Sequence, residues 1–216
     1  YYSLNDIKKI INLFPEIKVS SVIDWSIPWG PTGGPKGIWD SDYGQHQSWE
    51  HALSRFLLDA NCAIFGDIDE YPVSKNNRAI PDILSSIDEP VLSYKRRQIV
   101  EVNKENFINH GVRLPCDTGY YEPSKSEIAP KYAIKPKLIN NGQLMAHTVL
   151  NTPCYNCSDI ISRHMGNMRL DWRNDRFELI KLKSISDYSE LEFDKELDST
   201  FNQVNLDWLT KLDLRK

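Results

Sequence analysis

The residues Cys62-Ala63-Ile64-Phe65-Gly66-Asp67-Ile68-Asp69-Glu70-Tyr71-Pro72 decide how this chain is read. Their apolar start has the length and composition of a buried strand, and it runs straight into three acidic side chains. Three carboxylates at a strand end repel one another unless cations or hydrogen-bond donors offset them. Residues i and i+2 of an extended segment face the same way, so Asp67 and Asp69 are expected to converge on one object. Two hard oxygen donors suit Mn2+ or Mg2+, with a substrate phosphate completing the coordination. The plainer reading is a turn, completed by Tyr71-Pro72.

Upstream of this stretch the pattern alternates between helix and strand. Gln47 to Ala60 reads as a helix, with Trp49, Ala52, Leu53, Phe56 and Leu57 on one apolar stripe and Glu50, Arg55 and Asp59 facing water. Ile7, Ile10, Ile11 and Phe14 recur at helical spacing, with Ser3, Asn5 or Asp6 as N-cap and Pro15 as the stop. Ile17 to Trp25 reads as a strand. This rhythm predicts an α/β fold with mostly parallel pairing and helices on its flanks. Pro28 to Tyr43 is a long loop rich in proline and glycine, whose Trp29, Trp39 and Tyr43 suit either a sugar-facing lid or a loop pinned to the surface.

Downstream, Ile80 to Ile87 reads as a short helix with Pro81 in its first turn. Val91 to Val102 reads as a strand interrupted by Lys95-Arg96-Arg97, which is either a solvated edge or a phosphate-holding cluster. Phe107 to Pro130 is loop-rich and polar. Tyr132 to Leu138 and Gln143 to Leu150 read as two strands joined by a hairpin at Asn141-Gly142. His147 lies near the end of the second, and Ile160 to His164 is a further apolar run closed by a histidine. Cys154 and Cys157 have the spacing of half a zinc site or a redox pair, but Cys62 and Cys116 supply no matching second pair, so free thiols are expected.

Composition narrows the class. The 216 residues suffice for one domain, here taken as residues 1–216 without an internal linker or repeat. A net charge of -4 argues against a dedicated nucleic-acid binder, which is usually basic. No apolar run has the length of a membrane span, and few cysteines fit a reducing compartment.

In this context the chain resembles the glycosyltransferases of the GT-A fold, particularly bacterial relatives of the family 2 and family 92 enzymes. In that group an amphipathic helix with an Arg-Phe pair leads through an apolar strand into D-x-D-E-[FY]. Arg55-Phe56 and Phe65-Gly66-Asp67-Ile68-Asp69-Glu70-Tyr71 are similar. Lys131-Tyr132-Ala133-Ile134-Lys135-Pro136 followed by His147, and His164 followed by Trp172, resemble its later motifs. The resemblance covers roughly residues 1 to 175 and implies a GT-A-like, Rossmann-like sheet whose first strand and helix would precede Tyr1. It implies transfer of a sugar from a nucleotide-diphosphate donor, a UDP-sugar, to a saccharide or lipid-linked glycan acceptor, in bacterial surface-polysaccharide synthesis. It places the protein in the cytoplasm, peripheral to the inner face of the membrane. Asp67 and Asp69 would hold Mn2+ or Mg2+ with one of His147 and His164. Ser3, Asp6, Glu70 and Lys135 would bind the donor.

An inverting transfer needs a base for the acceptor hydroxyl, and Asp117, Glu122 and Asp175 are the candidates. Two other classes compete. A phosphatase of the haloacid dehalogenase type also sets D-x-D after an apolar strand, with Asp67 as nucleophile. Tyr71, however, stands where that group has Thr or Val, and its downstream acidic pair is not evident. A non-catalytic sugar-binding domain is the third reading.

Overall fold

The computed structural model describes residues 4–12, 18, 22–23, 43–100, 119–125, 127–140, 142–165 and 185–202. Three expected helices are present. Helix α1 spans Leu4–Asn12 and α3 spans Ile80–Ser85, with Pro81 in its first turn. Helix α2 spans Tyr43–Ala52 and continues as a π-helical turn over Leu53–Leu57. Leu53 is buried, and Trp49 and Leu57 pack beside it against Phe65, Tyr132 and Ile134. Phe56, expected on that stripe, faces outward at 47% exposure and meets the His51 ring. A π-turn is wider than an α-turn, so the stripe loses its phase within it.

Apart from short 3-10 turns at Pro123–Lys125, Pro136–Leu138 and Ile185–Asp187 and a last helix, the remaining elements are strands. They are β1 (Ala63–Phe65), β2 (Glu70–Ser74), β3 (Val91–Gln98), β4 (Tyr120–Tyr121), β5 (Glu127–Ile134), β6 (Gln143–Leu144), β7 (Val149–Leu150), β8 (Cys154–His164) and β9 (Glu192–Phe193), followed by helix α4 (Lys195–Asn202). Five of them form one sheet in the order β1-β5-β3-β8-β2. Three of its pairings are antiparallel, and β3 with β8 is parallel. The fold is therefore mixed α/β, and among the described residues the expected mostly parallel pairing gives way to a mostly antiparallel sheet. The helix–strand alternation that suggested parallel crossovers stops at β1. From Gly66 onward, α3 is the one described α-helix before α4, and segments without a crossover helix pair antiparallel.

Edge strands β1 and β2 are joined by Gly66 to Asp69 alone. That segment reaches at most about 18 Å, whereas the edges of a flat five-stranded sheet stand about 19 Å apart. The link also contains a turn, so the sheet has to curl. Register shifts after Tyr94 in the β3–β8 pair and within β3–β5 provide local bends. Alternate residues of β3 serve two cores: Val91 packs under α2, while Leu92 and Tyr94 pack under α3.

Among the described residues, the strands flanking Asn141-Gly142 do not pair as the expected hairpin. Strand β6 pairs with β7, not with β5, and Met145 N–H donates to Thr148 O at 2.9 Å across the actual turn. Gly142 instead gives room: a Cβ there would collide with the Thr152 and Val149 side chains. Cys62, Cys154 and Cys157 are free thiols, and Cys157 is buried in the core under α3. Much of the loop-rich Phe107–Pro130 region, the loop at 28–42 and most of the predicted strand at 17–25 lie outside the described residues.

Candidate functional site

Strands β1, β3 and β8 run in one direction, so their carboxyl ends, Phe65, Gln98 and His164, open at the same end of the sheet. The acidic segment passes over that end on its way from β1 to β2. Glu70 N–H donates to Asp67 O at 3.0 Å, which makes the segment a turn, not an extended strand. Met165 N–H donates to Asp69 O at 2.8 Å and Ile99 N–H to His164 O at 3.0 Å, so the turn is stitched to β8 and β8 to β3.

Glu70 is the anchor of the turn. Its carboxylate accepts from Asp67 N–H at 3.1 Å, pairs with Arg96, and lies 3.3 Å from Lys131 Nζ. Gly66 permits this packing, since a Cβ there would press on Glu70 Oε2 at 3.2 Å. With a side chain only 1% exposed, Glu70 orients the turn from below. Arg96 is likewise buried, and among the described residues its Nε has no hydrogen-bond acceptor. The expected solvated edge is therefore corrected: β3 is the central strand, and of Lys95-Arg96-Arg97 only Lys95 is exposed.

Asp67 and Asp69 engage different partners, because a turn does not keep the i and i+2 alignment of a strand. Asp67 accepts from Gln45 Nε2 at 2.5 Å and from Lys131 Nζ at 3.1 Å. Burial raises its pKa, but the Lys131 charge and hydrogen bond, the Gln45 amide and the Arg96 charge together hold it below the ordinary carboxylate value. Asp69 faces His164, with Oδ2 3.5 Å from Nε2. Gln98 Nε2 donates to the carbonyls of Ile99 and His164, which leaves Gln98 Oε1 to accept from His164 Nδ1 at 2.7 Å. That bond fixes the tautomer and points Nε2 at Asp69.

An imidazole braced on one nitrogen and aimed at a carboxylate by the other is one edge of a cation site. The third ligand does not join it, because Asp67 is committed to Lys131 and Gln45. Among the described residues no three His, Cys, Asp or Glu side chains gather as a ligand set. The described residues therefore do not close around Mn2+ or Mg2+ in this arrangement.

Of the other predicted residues, His147 lies within electrostatic reach of Lys131, Arg96 and Glu70, whereas Glu122 and Lys135 engage partners elsewhere. His147 Nδ1 is 3.0 Å from Pro130 O, and burial with the charges of Lys131 and Arg96 lowers its pKa. Glu122 pairs with Lys125 at 3.2 Å. Lys135 sits at the opposite end of the sheet, where it donates to Ile87 O and its N–H reaches Pro90 O. It lies just past the end of β5, four positions on from Lys131, the lysine that reaches the acidic turn. Asp6 falls in α1, with its side chain outside the described residues. Ser3, Asp117 and Asp175 lie outside them as well.

Sequence reasoning missed Lys131, Arg96, Gln45 and Gln98 as members of this site. Lys131 opened a motif already singled out, and Arg96 sat in the basic triplet, so each carried a weak signal. Beside the turn a pocket of about 210 Å3 opens between Asp67, Ile64, Pro72, Tyr94 and Ser162. Burial raises the Tyr94 pKa, with the Glu70 charge adding to it, so its hydroxyl stays protonated. Asp67 and Glu70 both border the pocket, with Tyr94 and Ser162 on its wall beside the apolar Ile64 and Pro72. No family model matches the chain, and no curated protein compared with it does either. Among the described residues no helix is long and apolar enough to cross a membrane.

Proposed function

We propose that this chain is a glycosyltransferase-type domain of the GT-A kind, whose acidic turn receives a nucleotide-diphosphate sugar. The supporting observation is the position of Asp67 and Asp69 over the carboxyl ends of three co-directional strands, beside His164 and a pocket lined by hydroxyl-recognising groups. In open parallel α/β sheets ligands bind in the crevice outside the strand carboxyl ends, and the parallel β3–β8 pair carries that feature here. In this reading Asp67, kept ionised by its cationic neighbours, accepts hydrogen bonds from hydroxyls of the donor. Glu70 holds the turn rigid, and Tyr94 and Ser162 face the sugar. The sugar passes to a saccharide or lipid-linked glycan, with the acceptor's base among Asp117, Glu122 and Asp175. The reading places the chain in the cytoplasm, with the acceptor reached at the inner face of a membrane. Mn2+ or Mg2+ enters it only in place of the Lys131 ammonium that bridges Asp67 and Glu70.

Calorimetric titration of the full chain with UDP, in Mn2+ and in EDTA, tests this reading. Wild type binds in at least one condition, and Asp69→Ala weakens binding tenfold or more. Absence of binding by wild type, or unchanged binding by Asp69→Ala, removes the proposal.

A further inference from the structure

Lys131 does what an ion would otherwise do at the acidic turn. Its Nζ lies 3.1 Å from Asp67 Oδ2 and 3.3 Å from Glu70 Oε2, so one cation bridges the first and last carboxylates of the Asp67–Glu70 segment. The lysine side chain is 1% exposed, as is Glu70, so both charges of that pair are enclosed. On its remaining side the ammonium lies 5.7 Å from the Trp49 ring centre, a favourable face for a cation. Gln45 takes the other Asp67 oxygen and Arg96 the other Glu70 oxygen, so all four oxygens of the two carboxylates have partners.

We propose that Lys131 is the resident cation of the acidic turn. Its ammonium fills, between Asp67 and Glu70, the position a divalent cation would take, and Mn2+ or Mg2+ binds the turn only in its place. Two cations cannot share the same two carboxylate oxygens: like charges repel at that distance, and the lone pairs facing Nζ are the ones a metal needs. On the same turn Asp69 faces His164 instead of Lys131, with Oδ2 3.5 Å from Nε2.

Lys131→Met removes the ammonium and keeps most of the side-chain volume. Thermal unfolding of the full chain is followed with and without millimolar MnCl2, and Mn2+ binding is titrated directly by paramagnetic resonance. The wild-type midpoint is unchanged by Mn2+. Lys131→Met starts lower, recovers several degrees in Mn2+, and binds the ion at least tenfold more tightly than wild type, since a ligand that binds only the folded state raises its stability. Lys131→Arg stays insensitive to Mn2+, and Asp67→Asn combined with Lys131→Met loses the rescue. If Lys131→Met does not fold in EDTA, refolding in Mn2+ restores it. Micromolar Mn2+ binding by wild type overturns the inference, and so does a Lys131→Met protein that gains nothing from Mn2+.

Discussion

Two buried ionic clusters sit on neighbouring residues of the same strands, and they differ in what they leave open. On β3, Arg96 pairs with Glu70 while the next residue, Arg97, pairs with Asp194 at 2.9 Å. On β8, His164 faces Asp69, while the preceding Arg163 grips Asp194 through Nε at 2.8 Å and Nη2 at 3.0 Å. Successive strand residues point to opposite faces, so each strand feeds both clusters. Asp194 also accepts from Leu197 N–H at 3.0 Å at the start of α4, and Arg163 reaches Glu196. Burial would raise the Asp194 pKa, but the Arg163 bonds and charge, the Leu197 N–H and Arg97 hold it below the ordinary value.

That second cluster is closed at its centre, where the Arg163 side chain is 0% exposed and that of Asp194 1%, with Arg97 at 21% and Glu196 at 46% on its rim. The acidic turn is graded instead, from Glu70 at 1% through Asp69 at 10% to Asp67 at 33%. A saturated cluster fastens α4 to the sheet and has nothing left for a ligand. A graded one keeps its innermost carboxylate as support and offers its outer ones. Burial and partner count, more than acidity itself, separate structure from site.

The largest expected effect comes from breaking the closed cluster. Asp194→Ala leaves Arg163 and Arg97 facing each other without their shared counter-ion, and a loss of about 3–5 kcal/mol in urea unfolding is expected. A loss below about 1 kcal/mol would mean that Asp194 is not the fastening. Glu70→Gln keeps one acceptor in place of two charged oxygens and is expected to cost about 1–3 kcal/mol, with weaker UDP binding as the turn loosens. An unchanged UDP affinity in that variant would show that the turn does not need its anchor.

The closed cluster also sets the response to acid. The folded pKa of Asp194 is depressed, so its contribution is complete above the unfolded value of about 3.9 and is lost as pH falls through the folded value. Stability of the wild type should therefore fall steeply below about pH 4, and Asp194→Asn should flatten that slope. Equal slopes would assign acid sensitivity to other groups. The smallest expected change in stability is for Asp67→Asn, under about 1 kcal/mol, because a third of that side chain is in water and its pairing is screened.

Local structure was legible in the sequence where the signal was local. Apolar spacing located α1 and α2, Pro81 marked the start of α3, and the run before Gly66 gave β1. The pairing order was not legible, because β1 reaches its neighbour β5 across more than sixty residues and the bends that curl the sheet carry no sequence motif. Asn141-Gly142 misled for a physical reason: the glycine is there for a close approach of side chains, not for a two-residue turn. Within the site, the acidic stretch announced itself and its counter-ions did not. Lys131 and Arg96 look like ordinary solvated charges until the fold buries them under Glu70, and Lys135 looks equivalent to Lys131 until the strand carries it to the far end.

The contrast between an open and a closed cluster is tested most directly by titrating UDP into Asp67→Asn and Glu196→Gln side by side, with unfolding midpoints recorded for both. Glu196 is the outermost member of the closed cluster, 46% exposed, so its removal leaves the chain folded. Asp67→Asn is predicted to weaken UDP binding tenfold or more with a midpoint close to wild type, while Glu196→Gln binds UDP as wild type does. Equal losses of binding in the two variants, or none in Asp67→Asn, would contradict the assignment of the acidic turn as the site.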